Sequence, residues 1–220
     1  MADVTHDLAH AAGMAPGTGQ PPGAAAPGAP GAPGWVRPPA TIVPVAGLPV
    51  VGVVLILLVV AIAGNWLWAL DFFHIAGGGL WTGVDLFVGL VIGPILGRLS
   101  IGARVEFATR FMPKMLLIMP TLVVMTLASG WQLARHLGVL EVGYPRHWWL
   151  VASFIVVGVM TVIALGFLEP ANLAVLFELR KDSPDGALIG KLMRRFAYTA
   201  GITGVLQVAT LVIMTRIATW

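Results

Sequence analysis

The chain has no cysteine. That single absence removes disulfides, iron–sulfur clusters, thiolate-bound zinc and thiol redox chemistry. Charge is also scarce: Asp, Glu, Lys and Arg make up 10% of the 220 residues, against about 25% in a soluble domain. Histidines number five, two of them (His6 and His10) in the first ten residues. Any metal or haem must therefore be held by His, Met or carboxylate. No phosphate loop, Gly-x-Ser-x-Gly, His-Glu-x-x-His or dinucleotide fingerprint is present, so the soluble-enzyme chemistries those motifs serve are not indicated.

What fills the chain instead is hydrocarbon. Hydrophobic residues make up 58% of it and the mean hydropathy is +0.90. Several runs reach the roughly 20 apolar residues that a helix needs to cross a bilayer. The expected fold is all-α, a polytopic integral membrane protein whose first partner is the lipid bilayer. The net charge of +3 does not point to nucleic acid, because the basic residues sit between apolar runs, where they set orientation.

Three regions follow. Residues 1–40 are an Ala/Gly/Pro-rich tail with no apolar face to bury, expected to be disordered. Residues 41–64 hold a first transmembrane helix, centred on 43–63. Its end, Ala61-Ile-Ala63, has the small-x-small look of a signal-peptidase site, but the long tail ahead favours a retained anchor. Residues 65–220 form a four-helix core with spans near 72–96, 115–134, 148–168 and 199–217, making five helices in all. Pro120 should kink the third span if it lies within the helix. Gly89-x-x-x-Gly93-x-x-x-Gly97 offers a face on which another helix can approach closely, although glycine is also simply common in membrane helices.

The segments 97–114 and 178–195 read as basic loops, and the excess of Lys and Arg there places them in the cytoplasm. The N-terminus is then inside and the C-terminus outside, as in a bacterial-type inner membrane protein. Thr121-Leu-Val-Val-Met-Thr126 recurs as Thr210-Leu-Val-Ile-Met-Thr215, each after an Arg-Phe pair (Arg110-Phe111, Arg195-Phe196). Spans two–three and four–five then read as two parallel hairpins, with the first helix added to that core.

The chemistry converges on one helix. At about 100° per residue, Trp81 and Asp85 fall within roughly 20° of His74. Ionisable groups in hydrocarbon are costly and tend to face a bundle interior or a ligand. Asp85 lies around 16 Å below His74 at 1.5 Å per residue, near mid-membrane. There it needs a partner, a proton or a ligand. Thr126, Ser129, Thr161, Thr203 and Gln207 are its neutral candidates.

His74, His136 and His147 share the outer side, with Asp71 and Glu141 near. Together they are a candidate metal set suited to divalent copper or zinc, while paired imidazoles suit haem b. The bland alternative is three solvated or headgroup-facing rings. Met112, Met115, Met119 and Met125 follow near-helical spacing; packing is their simpler reading, monovalent copper the other.

The order of parts carries a resemblance. His74, Trp81 and Gly83 open a span that ends near a proline and basic residues. Arg110-Phe-Met-Pro113 then leads into an apolar helix, and Arg194-Arg195-Phe196 into the last. Over about residues 66–217 the chain resembles the four-helix superfamily of copper-resistance D (CopD-like) membrane proteins and HemJ-type protoporphyrinogen oxidases. The resemblance implies that His74 ligates haem b. The oxidase branch carries a Lys near the start of its third core helix and Arg-Phe-Asn-Glu-x-Pro at its last. This chain has His147-Trp148-Trp149 and Arg195-Phe196-Ala197-Tyr198-Thr199-Ala200 there. The likeness therefore reaches to haem and not to porphyrinogen oxidation. The expected function is the handling of haem b or copper at a site of His74, Trp81 and Asp85. The alternative is a non-catalytic anchor or accessory subunit of a membrane complex or homo-oligomer.

Overall fold

The computed structural model describes residues 42–144 and 147–219. The tail, His6 and His10 lie outside them. Seven α-helices follow in order: α1 Leu48–Ala63, α2 Leu67–Phe87, α3 Gly93–Arg98, α4 Ile101–His136, α5 His147–Ile163, α6 Glu169–Leu179 and α7 Gly186–Ala218. No strand occurs among the described residues.

Two π-helical turns merge these helices into longer rods. Val88–Ile92 joins α2 to α3, and Ala164–Leu168 joins α5 to α6. Each turn ends just before an X-Pro pair, Gly93-Pro94 and Glu169-Pro170. A proline has no N–H to donate, and its ring collides with the carbonyl four residues back. Opening the turn by one residue relieves that collision: Gly93 N–H reaches back to the Val88 carbonyl and Glu169 N–H to that of Ala164.

Five helical segments are long and apolar enough to cross a membrane: Val45–Ala63, Leu67–Arg98, Ile101–His136, His147–Leu179 and Gly186–Ala218. The last four have 32, 36, 33 and 33 residues. At 1.5 Å per residue they run about 48–54 Å, well beyond a hydrocarbon core of about 30 Å.

This length corrects the loop reading. Segments 97–114 and 178–195 are mostly helix; only Leu99–Ser100 and Arg180–Asp185 break it. N-caps start both helices early. The Ser100 hydroxyl accepts from Ala103 N–H at 3.3 Å, and Asp185 Oδ1 accepts from Ala187 and Leu188 N–H at 2.8 and 3.1 Å. Arg98, Arg104, Arg110, Lys114, Lys191, Arg194 and Arg195 therefore ride on helix, while Arg180 and Lys181 lie in the break. Pro113 and Pro120 both lie inside α4, which stays one continuous helix.

The rods pack as two hairpins of like construction. Each has a π turn before an X-Pro, a short reversal and a capped long helix. The Arg-Phe pairs fall ten residues after each cap, Ser100 to Arg110 and Asp185 to Arg195, so they occupy matching places. The Thr-Leu-Val copies start 21 and 25 residues after the caps and are out of register by about one turn. α2 packs on α4 and α7, α5 on α7, and α6 on α4 and α7.

Helix α1 lies along the outside of α2 and α4. Gly47 faces Leu117 at one end of it, and at the other Gln132 Nε2 donates to Asn65 Oδ1 at 2.6 Å. α1 thus covers α4 only over about 117–132. Met112, Met115, Met119, Met125, Met160 and Met193 are all buried in the apolar core, where flexible thioethers fill irregular space.

Candidate functional site

His74 sits on the α2 face turned to α4. Its Nδ1 lies 2.8 Å from the Thr126 carbonyl oxygen. A carbonyl can only accept, so Nδ1 carries the hydrogen and donates it. In the neutral ring Nε2 then keeps its lone pair. A backbone carbonyl on one ring nitrogen is what orients a histidine that ligates through the other.

The ring has this place because of Gly130, one turn beyond Thr126. A Cβ there would stand 2.5 Å from His74 Cε1 and 2.6 Å from Nδ1. Any side chain at 130 displaces the imidazole. Together, Thr126 and Gly130 are a cradle for one ring in one orientation.

Asp85 faces elsewhere. It is 2% exposed, and its Oδ2 accepts from Gln207 Nε2 on α7 at 3.1 Å. Trp81, one turn earlier on the same helix, is buried as well. The other neutral candidates turn inward on their own helices. Thr126, Thr161 and Thr203 donate to the carbonyls four residues back at 2.8, 2.8 and 3.0 Å, and Ser129 donates to Met125 O. Short hydroxyls satisfy themselves locally, whereas the longer Gln207 crosses to Asp85.

The sequence stripe therefore divides. His74 addresses α4, while Asp85, three helical turns away, addresses α7. The carboxyl belongs to a contact between hairpins and not to the surroundings of His74.

The three histidines of the candidate metal set also part. His136 is the exposed last residue of α4 and His147 the exposed first residue of α5, while His74 is half-buried. Asp71 and Glu141 are exposed. Among the described residues no three His, Asp or Glu side chains gather closely enough to hold a metal ion. His74, His136 and His147 do not form one site: His136 and His147 are exposed residues at helix ends, while His74 is half-buried on α2.

Sequence reasoning missed the Thr126 carbonyl and Gly130. A backbone acceptor leaves no trace in residue type. Gly130 is one of 27 glycines, with nothing local to single it out. Comparison with known protein families, curated proteins and solved structures finds no match.

Proposed function

We infer that this chain is a multi-pass membrane protein that carries haem b on Nε2 of His74, near one end of its four-helix core. The observation that carries this reading is the Nδ1–H bond to the Thr126 carbonyl at 2.8 Å over the Gly130 floor. It fixes the ring and leaves one nitrogen free as a ligand. The resemblance to CopD-like and HemJ-type proteins supports the same residue. Haem, when bound, supplies one-electron redox chemistry. What the protein contributes is a single oriented imidazole in an apolar wall.

A three-histidine copper or zinc centre fits less well. His136 and His147 are exposed and separate from His74, and the methionines that suit monovalent copper fill the core. In the bilayer, the arginine- and lysine-bearing ends of α4 and α7 face the cytoplasm by the positive-inside rule. That sets the N-terminus inside and the C-terminus outside in a bacterial-type inner membrane. It also puts His74 near the outer leaflet.

The test is elemental analysis of the detergent-purified protein for iron, copper and zinc. Three samples are compared: wild type, His74→Ala, and the double variant His136→Ala/His147→Ala. Iron that is lost in His74→Ala and retained in the double variant supports single-histidine haem ligation. Copper lost in both variants points to the three-histidine centre instead. A metal-free wild type rejects both and leaves the anchor-subunit reading, in which a stoichiometric partner co-purifies from native membrane.

A further inference from the structure

Asp85 and Gln207 take no part in the His74 reading, yet they are the most deeply buried polar pair between the hairpins, 2% and 3% exposed. Gln207 Nε2 donates to Asp85 Oδ2 at 3.1 Å. The other end of the same amide, Gln207 Oε1, is buried with no hydrogen-bond partner.

Among the described residues no cation pairs with the carboxyl. On its own rod the flanking ionisable residues are His74 and Arg98, at 11 and 13 residues' remove. On α4 no charge lies between Lys114 and Arg135, and on α7 none between Arg195 and Arg216. Helix α1 has no charged residue, and the α5–α6 rod has no ionisable residue between His147 and Glu169. An anion held by a neutral donor in an apolar interior is strongly disfavoured, and an unpaired amide carbonyl beside it adds a desolvation cost of its own.

One proton removes both costs. A neutral carboxyl group carries no charge to desolvate, and its O–H is the donor that Gln207 Oε1 lacks. An acid and a carboxamide then pair through two hydrogen bonds, N–H to carboxyl oxygen and O–H to amide oxygen.

We propose that Asp85 is a proton-binding site, and that its proton, given to Gln207 Oε1, closes a clasp between α2 and α7. Binding forms one O–H bond, takes one proton from water and moves no electron. The clasp lies about one turn along α2 and nearly two along α7 from the Gly89–Gly201 contact, where an added Cβ would stand 2.3 Å from backbone, so clasp and helix contact belong to one interface. A carboxylate in it would open the tightest seam between the hairpins. Because only the folded pair holds the proton, and ionisation removes the donor to Gln207 Oε1, the stability of this seam falls as pH rises.

The test uses the full chain in detergent, comparing wild type with Asp85→Asn and Asp85→Leu. Asn is the neutral isostere and can make both hydrogen bonds. The expected infrared difference, wild type minus Asp85→Asn, contains the C=O stretch of a buried carboxylic acid at neutral pH. Asp85→Asn should melt close to wild type at neutral pH and hold that temperature in alkali, where wild type falls; Asp85→Leu should melt low throughout. Absence of the band, or an Asp85→Asn protein that melts as low as Asp85→Leu, overturns the proposal. If the Asp85 variants do not fold, Gln207→Leu decides. Loss of its amide should shift the band to that of a free acid, and an unmoved band overturns the clasp.

Discussion

A single methyl group at Gly89 tests how the two hairpins meet. A Cβ there would stand 2.3 Å from Gly201 Cα and 2.7 Å from Gly201 N. Both are backbone atoms, with no side chain to swing aside. For an ordinary contact the α7 backbone has to retreat by about 1.1 Å, from 2.3 to 3.4 Å. Overpacking of this kind costs about 1–3 kcal/mol. The same retreat stretches the neighbouring Asp85–Gln207 bond from 3.1 Å to about 4.2 Å, beyond hydrogen-bonding range, at a further cost of about 1–3 kcal/mol. For a chain of this size each kcal/mol lowers Tm by about 2–4 °C, so Gly89→Ala should lose on the order of 10 °C. Gly201→Ala should lose less, because its Cβ meets Gly89 Cα at 3.3 Å. Gly97→Ala, with nothing within 4 Å, should be neutral or slightly stabilising, since Ala favours helix by about 1 kcal/mol over Gly. The assay is thermal unfolding in detergent followed by tryptophan fluorescence. Equal melting temperatures for Gly89→Ala and Gly97→Ala would refute the seam.

Gly130→Ala should cut haem content at fixed haem supply about 10–100-fold, the usual cost of losing the group that orients a ligand, while His74 itself remains; spectral titration with haemin measures it. Asp185→Ala should lower stability by about 1 kcal/mol and Ser100→Ala by less. Asp185 accepts from two N–H groups and Ser100 from one at 3.3 Å, and parallel melts compare them. Asn65 has φ 51° in the turn before α2, so Asn65→Val should destabilise more than Asn65→Gly; equal losses would mean the Gln132 bond, absent from both, is what matters there.

Helix number and order were legible in the hydropathy, because a 20-residue apolar run has few other uses. Helix ends were not. A window scan reads Arg104, Glu106 and Arg110 as loop, whereas Ser100 caps a helix that carries them past the apolar zone. The π turns could have been anticipated at Pro94 and Pro170 only by knowing that helix continues on both sides of each. Of the three glycines at every fourth position, Gly89 packs on Gly201 and Gly93 on Ala197, while Gly97 meets nothing. Spacing marks a face; it does not say how far the neighbour follows it.

The stripe of His74, Trp81 and Asp85 was visible as a periodicity; His74 and Asp85 bond to neighbouring helices and Trp81 is buried. Periodicity could not reveal that the neighbours differ. α2 lies between α4 and α7, and one side of a helix can meet both along its length. Gln207 is one of five neutral side chains in the sequence that could partner Asp85. Side-chain reach separates it from the four hydroxyls, each of which bonds its own helix.

The central claim, that His74 holds haem b, is tested most directly by the dithionite-reduced minus oxidised visible spectrum of the purified protein beside His74→Ala. The account predicts a sharp α-band in wild type that the variant lacks. A band that survives in His74→Ala would move the ligand elsewhere, and no band in haem-replete wild type would contradict the claim outright.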